Sequence, residues 1–167
     1  MANDRSGFKI TSLLSALAIP LLVGWFSSFL TSDAMKQYQS FSKPVLSPPG
    51  WLFPVVWTIL YLMMGLASYY VVTSATEKEE RWKALAFYGG QLALNFFWSI
   101  LFFHYQSYLL AFFWLIALWV TVLLTAIRFY RIHKLSGFLL IPYILWLTFA
   151  GYLNFAVYQL SQTPAPV

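Results

Sequence analysis

The chain has no cysteine. That excludes a disulfide frame, a thiolate ligand and a thiol nucleophile, and it leaves the compartment unassigned. Charge is almost as scarce. Asp, Glu, Lys and Arg make up 9% of the 167 residues, where a soluble domain carries about a quarter. None of the four occurs from Ile10 to Ser32, Pro44 to Thr76, Ala84 to Ile127 or Leu135 to Val167. Ion- and proton-coupled pumps place ionisable groups inside their spans, so this pattern argues against one. His104 and His133 stand apart from each other, which argues against a structural or catalytic metal site. No nucleophile has a visible base and orienting acid, so triad catalysis is unsupported. No glycine-rich phosphate loop occurs.

What is abundant is apolar and aromatic surface. Hydrophobic residues are 60% of the chain and aromatic residues 21%, with eight Trp. A water-soluble fold of this length has no interior large enough to hide them. A membrane-spanning helix needs about 20 apolar residues. The first, second and fourth charge-free runs each hold one span. The third is long enough for two, broken at His104–Ser107. The expected fold is therefore an all-α membrane protein, a single domain of five transmembrane helices. The spans are expected at about 10–30, 51–74, 82–103, 108–127 and 135–160, with residues 31–50 as a loop between the first two.

The net charge of +5 does not indicate nucleic acid. The basic residues sit at the ends of apolar runs, where orientation signals belong. Arg5 and Lys9, then Lys78, Arg81 and Lys83, then Arg128, Arg131 and Lys134 fall on one side of the bilayer. Lys36 and Lys43 fall on the other. Eight against two puts the N-terminus in the cytoplasm, in a bacterial-type cell membrane. The Arg5–Lys9–apolar pattern is like that of a signal peptide. Its apolar run exceeds the roughly 7 to 15 residues of such a segment, so an uncleaved first helix is expected.

The stretch Lys43 to Tyr61, KPVLSPPGWLFPVVWTILY, turns from polar loop to apolar helix. Pro44 pushes Lys43 toward extended backbone. Pro48 and Pro49 stiffen the approach, and a helix spares their missing N–H only in its first turn. Trp57 and Tyr61, four residues apart, share a face. Two readings fit: a lid and first wall of a cavity for a large flat apolar ligand, or an interfacial aromatic belt.

Further faces follow from helical spacing. Pro20, Gly24 and Ser28 form a small-residue stripe in the first span, of the kind that lets membrane helices approach closely. Gln91, Asn95, Trp98 and Phe102 stack on one side of the third span. An unpaired amide in hydrocarbon is costly, so Gln91 and Asn95 face either another helix or a polar group of a ligand. In the last span Pro142 is expected to bend the helix. Tyr143, Trp146, Ala150 and Asn154 then share a face.

Taken together, KPVLSPPGWLFPVVWTILY, LNFFWSILFF and IPYILWLTFAGYLN resemble the translocator protein family, also called the tryptophan-rich sensory or peripheral benzodiazepine receptor family. The resemblance runs from Lys43 to Leu160. It implies a five-helix bundle, a homodimer, and a cavity under the first loop that binds porphyrins such as protoporphyrin IX, sterols and synthetic aromatic drugs. By motif position, that cavity is lined by Trp57, Tyr61, Asn95, Trp98, Tyr143, Trp146 and Ala150. Leu46 stands where the family often has Trp, and Ser161 where it often has Asn. No basic residue follows Lys134, so the cholesterol motif of animal members is incomplete, which favours a tetrapyrrole over a sterol.

Three functions are therefore weighed. The first is a receptor or carrier for porphyrins, with Trp57, Trp98 and Trp146 stacking on the rings, Asn95 bonding a polar group, and Lys36 and Lys43 meeting the propionates. The second is light-dependent porphyrin breakdown, with Trp57 and Trp146 as the reactive indoles and the porphyrin as substrate. The third is a structural membrane subunit with its aromatic residues facing lipid. No resident cofactor is expected in any of them.

Overall fold

A computed structural model describes residues 10–32 and 46–162. Lys36, Lys43 and most of the segment between the first two spans lie outside the described residues. The elements are α1 (Ile10–Leu30), α2 (Leu52–Thr73), α3 (Lys78–Ser99), α4 (Tyr108–Ile132), α5 (Lys134–Phe138) and α6 (Ile141–Gln162). Five segments are long and apolar enough to cross a membrane, the last of them running through α5 and α6. The chain folds as a five-helix membrane bundle.

The charged stretch before the third span is helical rather than a turn. α3 begins at Lys78, with Glu79 and Glu80 in its first turn, where the helix dipole favours negative charge. Lys83 reaches back one turn to Glu79 at 2.7 Å. α4 likewise runs past Ile127 to Ile132, and the Arg128 guanidinium lies 4.4 Å from the centre of the Phe87 ring. Both extensions keep charges helical at the membrane edge, where the backbone still gains by bonding to itself.

Pro142 acts differently from a mid-helix bend. The last span is broken outright at Leu139–Leu140, and Pro142 is the second residue of α6. A proline there has no helical partner to lose. Pro20, by contrast, lies buried inside an unbroken α1. At its other end α3 passes into a π-helical turn, Ile100–His104, in which the Tyr105 amide bonds back to the Ile100 carbonyl at 3.0 Å.

α4 lies against more neighbouring elements than any other helix among the described residues. Leu115, Leu118, Val122, Ala126 and Phe129 are buried at helical spacing, and the helix lies against both α3 and α6. On the opposite side α1 lies against α2. Gly65 permits that approach: a Cβ there would come 2.8 Å from the Ala16 carbonyl oxygen and the Leu17 Cα. α2 and α6 have no such close backbone packing between them.

A candidate ligand cavity between α1, α2, α3 and α6

A cavity of about 590 Å³ opens between these helices, within the size range of small-molecule sites. Its rim is Ser47, Pro48 and Gly50. The Leu52 amide bonds to the Pro49 carbonyl at 2.9 Å and starts α2 from this rim. Leu46 is exposed and stands off the wall, with its backbone at φ 68°.

Below the rim α2 contributes Phe53, Trp57 and Tyr61. Trp57 stacks on Tyr61 with ring centres 5.5 Å apart, and meets Tyr143 of α6 edge-on at 6.0 Å. Phe53 meets Trp146 edge-on at 5.9 Å. The π-turn brings Phe102 and Phe103 to the wall, and Trp98 stacks on Phe102 at 5.4 Å. The Trp98 indole N–H donates to Asn154 Oδ1 at 3.2 Å, and Asn154 Nδ2 donates to the Tyr108 carbonyl at 2.7 Å. That relay ties α3, α4 and α6 together on the far side of the cavity.

Of the residues singled out by spacing or resemblance, Trp57, Tyr61, Trp98, Trp146, Ala150 and Asn154 stand on the cavity wall. Gln91, Asn95 and Tyr143 do not. Asn95 Nδ2 donates to the Tyr61 hydroxyl at 3.0 Å, so this amide braces a wall residue from behind instead of facing the hollow. Gln91 Nε2 points at Met64 Sδ, 3.8 Å away. Tyr143 is buried at 1% exposure behind Trp57. Of these three, Asn95 is bonded between helices, whereas Gln91 Oε1 and the Tyr143 hydroxyl are buried with no partner among the described residues.

The wall also includes a helix that spacing assigned to packing alone. Gly24, Ser27 and Ser28 of α1, with Thr31 just past its end, line the cavity. Gly24 serves both purposes, since a Cβ there would clash with the edge of the Tyr61 ring. The Ser27 hydroxyl is buried with no partner among the described residues. The signal available in the sequence was the small-residue stripe itself, which looks the same whether it faces a helix or a hollow.

The lining can hold a flat apolar body by dispersion and ring contacts. Among the lining indoles, the N–H groups of Trp25, Trp57 and Trp146 find no acceptor among the described residues, whereas that of Trp98 is bonded, as are those of Trp114 and Trp119 elsewhere in the bundle.

Residues 16–160 match the TspO/MBR family. The chain is 39% identical over 154 residues to the Tryptophan-rich protein TspO of Chlorobaculum tepidum, covering 92% of this chain and 98% of that one. It is 36% identical over 150 residues to the Tryptophan-rich sensory protein of Cereibacter sphaeroides, covering 90% and 89%. It is 34% identical over 146 residues to the Translocator protein of Sus scrofa, covering 86% of each. The match takes in every helix that walls the cavity, and the chain belongs to the TspO/MBR family of integral membrane proteins.

Proposed function

We propose that this protein is a membrane receptor or carrier that holds porphyrins, and with them other flat hydrophobic molecules such as sterols and aromatic drugs, in the cavity between α1, α2, α3 and α6. The supporting observation is that indoles from three separate spans, Trp57, Trp98 and Trp146, line a single hollow of about 590 Å³. Relatives named as sensory and translocator proteins support the same reading. The ring system lies among the indoles, while the propionates stay toward the rim, which Lys36 and Lys43 precede in sequence. Asn95 acts through Tyr61 instead of touching the ligand. The protein works as a homodimer in a bacterial cell membrane with its N-terminus in the cytoplasm.

Titration of the protein with protoporphyrin IX tests the reading. Saturable quenching of Trp fluorescence with a shifted Soret band is expected, and the absence of any saturable signal overturns it.

One observation favours a second reading, breakdown of the bound porphyrin under light. Trp57 and Trp146 are both on the wall with unbonded N–H groups, beside a pocket that keeps water from a reactive intermediate. Illumination of the same complex should then yield a new chromophore. If Trp57→Phe and Trp146→Phe bleach as the wild type does, those indoles are not the reactive groups.

A further inference from the structure

A second hollow, of about 380 Å³, lies on the outer side of the seam between α2 and α6. Val56, Ile59 and Met63 form its α2 side, Leu145 and Phe149 its α6 side. Ile59 is 51% exposed and Leu145 64% exposed, both within membrane-spanning segments, so the groove opens onto acyl chains. Among the described residues, Trp146 alone lines both this groove and the central cavity. At this seam the partition between cavity and bilayer is one indole thick.

That indole is held by apolar packing and ring contacts alone. It meets Phe53 edge-on at 5.9 Å and Phe149 at 5.7 Å, and its N–H has no acceptor among the described residues. Trp98, on the far wall, is pinned by Asn154. One turn beyond Trp146 along α6 is Ala150, small and on the cavity wall, which leaves space for the ring to turn inward. With the backbones of α2 and α6 apart, a rotamer change at Trp146 opens the seam without moving a helix, and such changes are fast compared with helix motions.

We propose that the α2–α6 seam is a side door: hydrophobic ligands dissolved in the bilayer reach the cavity through this groove, with Trp146 as the swinging panel. The proposal rests on the cavity being a ligand site. A molecule with a large apolar body concentrates in the membrane, and this route spares it a return to water on the way in.

Ile59→Phe and Leu145→Phe fill the groove from its outer side and leave the central wall untouched. In lipid vesicles preloaded with protoporphyrin IX, each should slow both association and dissociation about tenfold while the equilibrium affinity stays within about twofold, the signature of a blocked path rather than a damaged site. Unchanged rates in both variants, or slowing only in Ser47→Phe at the rim, overturn the side door. A second measurement does not depend on porphyrin. A fatty acid carrying a photoactivatable diazirine, dissolved in the bilayer, should label the buried wall residues Trp98 and Phe102, and the groove variants should abolish that labelling. If the wild type shows no label on that wall peptide, or the variants label equally, the door is absent whatever porphyrin does. A wild type that labels but shows no saturable porphyrin signal keeps the door and removes the porphyrin.

Discussion

Where α4 meets α3 and α6, tryptophans are fastened; where α1, α2 and α6 surround the cavity, they are loose. Trp114 donates to the Leu94 carbonyl at 2.8 Å and Trp119 to the Thr148 hydroxyl at 3.0 Å. Around them Leu118 and Val122 are fully buried. Across the bundle, Trp57 and Trp146 pack against rings and the apolar core with no indole hydrogen bond among the described residues. The same side chain thus serves as a cross-brace on one side and as wall lining on the other. What separates the two roles is whether a neighbouring helix supplies an acceptor, since a buried indole N–H without one is costly. An indole left unbonded beside open space is the one available to a ligand.

Four substitutions test this division, taken from the largest effect to the smallest. Leu118→Ala, on the packed side, should destabilise the bundle by about 2–5 kcal/mol by opening a void. Reversible unfolding in detergent measures it, and the porphyrin affinity of the remaining folded protein should be unchanged. A loss of affinity without a loss of stability would erase the distinction between the two sides. Next, Trp57→Ala and Trp146→Ala should each weaken porphyrin binding, by roughly 0.5–1.5 kcal/mol for the ring contact in addition to the lost apolar area. Stability should change little, because neither indole braces two helices through a hydrogen bond. Equal affinity in wild type and both variants would mean the cavity wall is not the binding surface. The smallest effect is expected for Trp119→Phe. It removes one interhelical hydrogen bond, worth about 0.6 kcal/mol on average in membrane bundles, and should appear as a slight fall in stability with binding unaltered. Should Trp119→Phe lower affinity more than Trp146→Phe does, fastened and loose tryptophans have been assigned the wrong way round.

The architecture was legible because the bilayer writes it into the chain. Gaps between charges as long as Ala84–Ile127 admit few arrangements other than spans. The limits of those spans were harder to read. Lys78–Lys83 looks like a connector by composition, although Glu79 and Lys83 stand at the spacing of a helical ion pair. Pro142 signals an interruption in either case, and sequence does not say whether the helix bends or restarts. In the cavity, periodicity grouped Trp98 with Asn95 and Trp146 with Tyr143. It did not separate the wall from the layer behind it, because that depends on partners from distant helices. Asn95 is drawn away by Tyr61, 34 residues earlier in the chain. Gly24 and Ser28 carry no side chain large enough to announce a surface, so α1 read as a packing element until its neighbours were in place.

The π-helical turn at Ile100–His104 has one more consequence. Closing a ring over five residues instead of four leaves this stretch holding a surplus residue within its rise. Phe102 and Phe103 arrive side by side at the hollow on that surplus. Deleting any single position there would restore the ordinary pitch and rotate whatever follows toward Tyr105. In this stretch the number of residues, more than their identity, sets which aromatic faces inward.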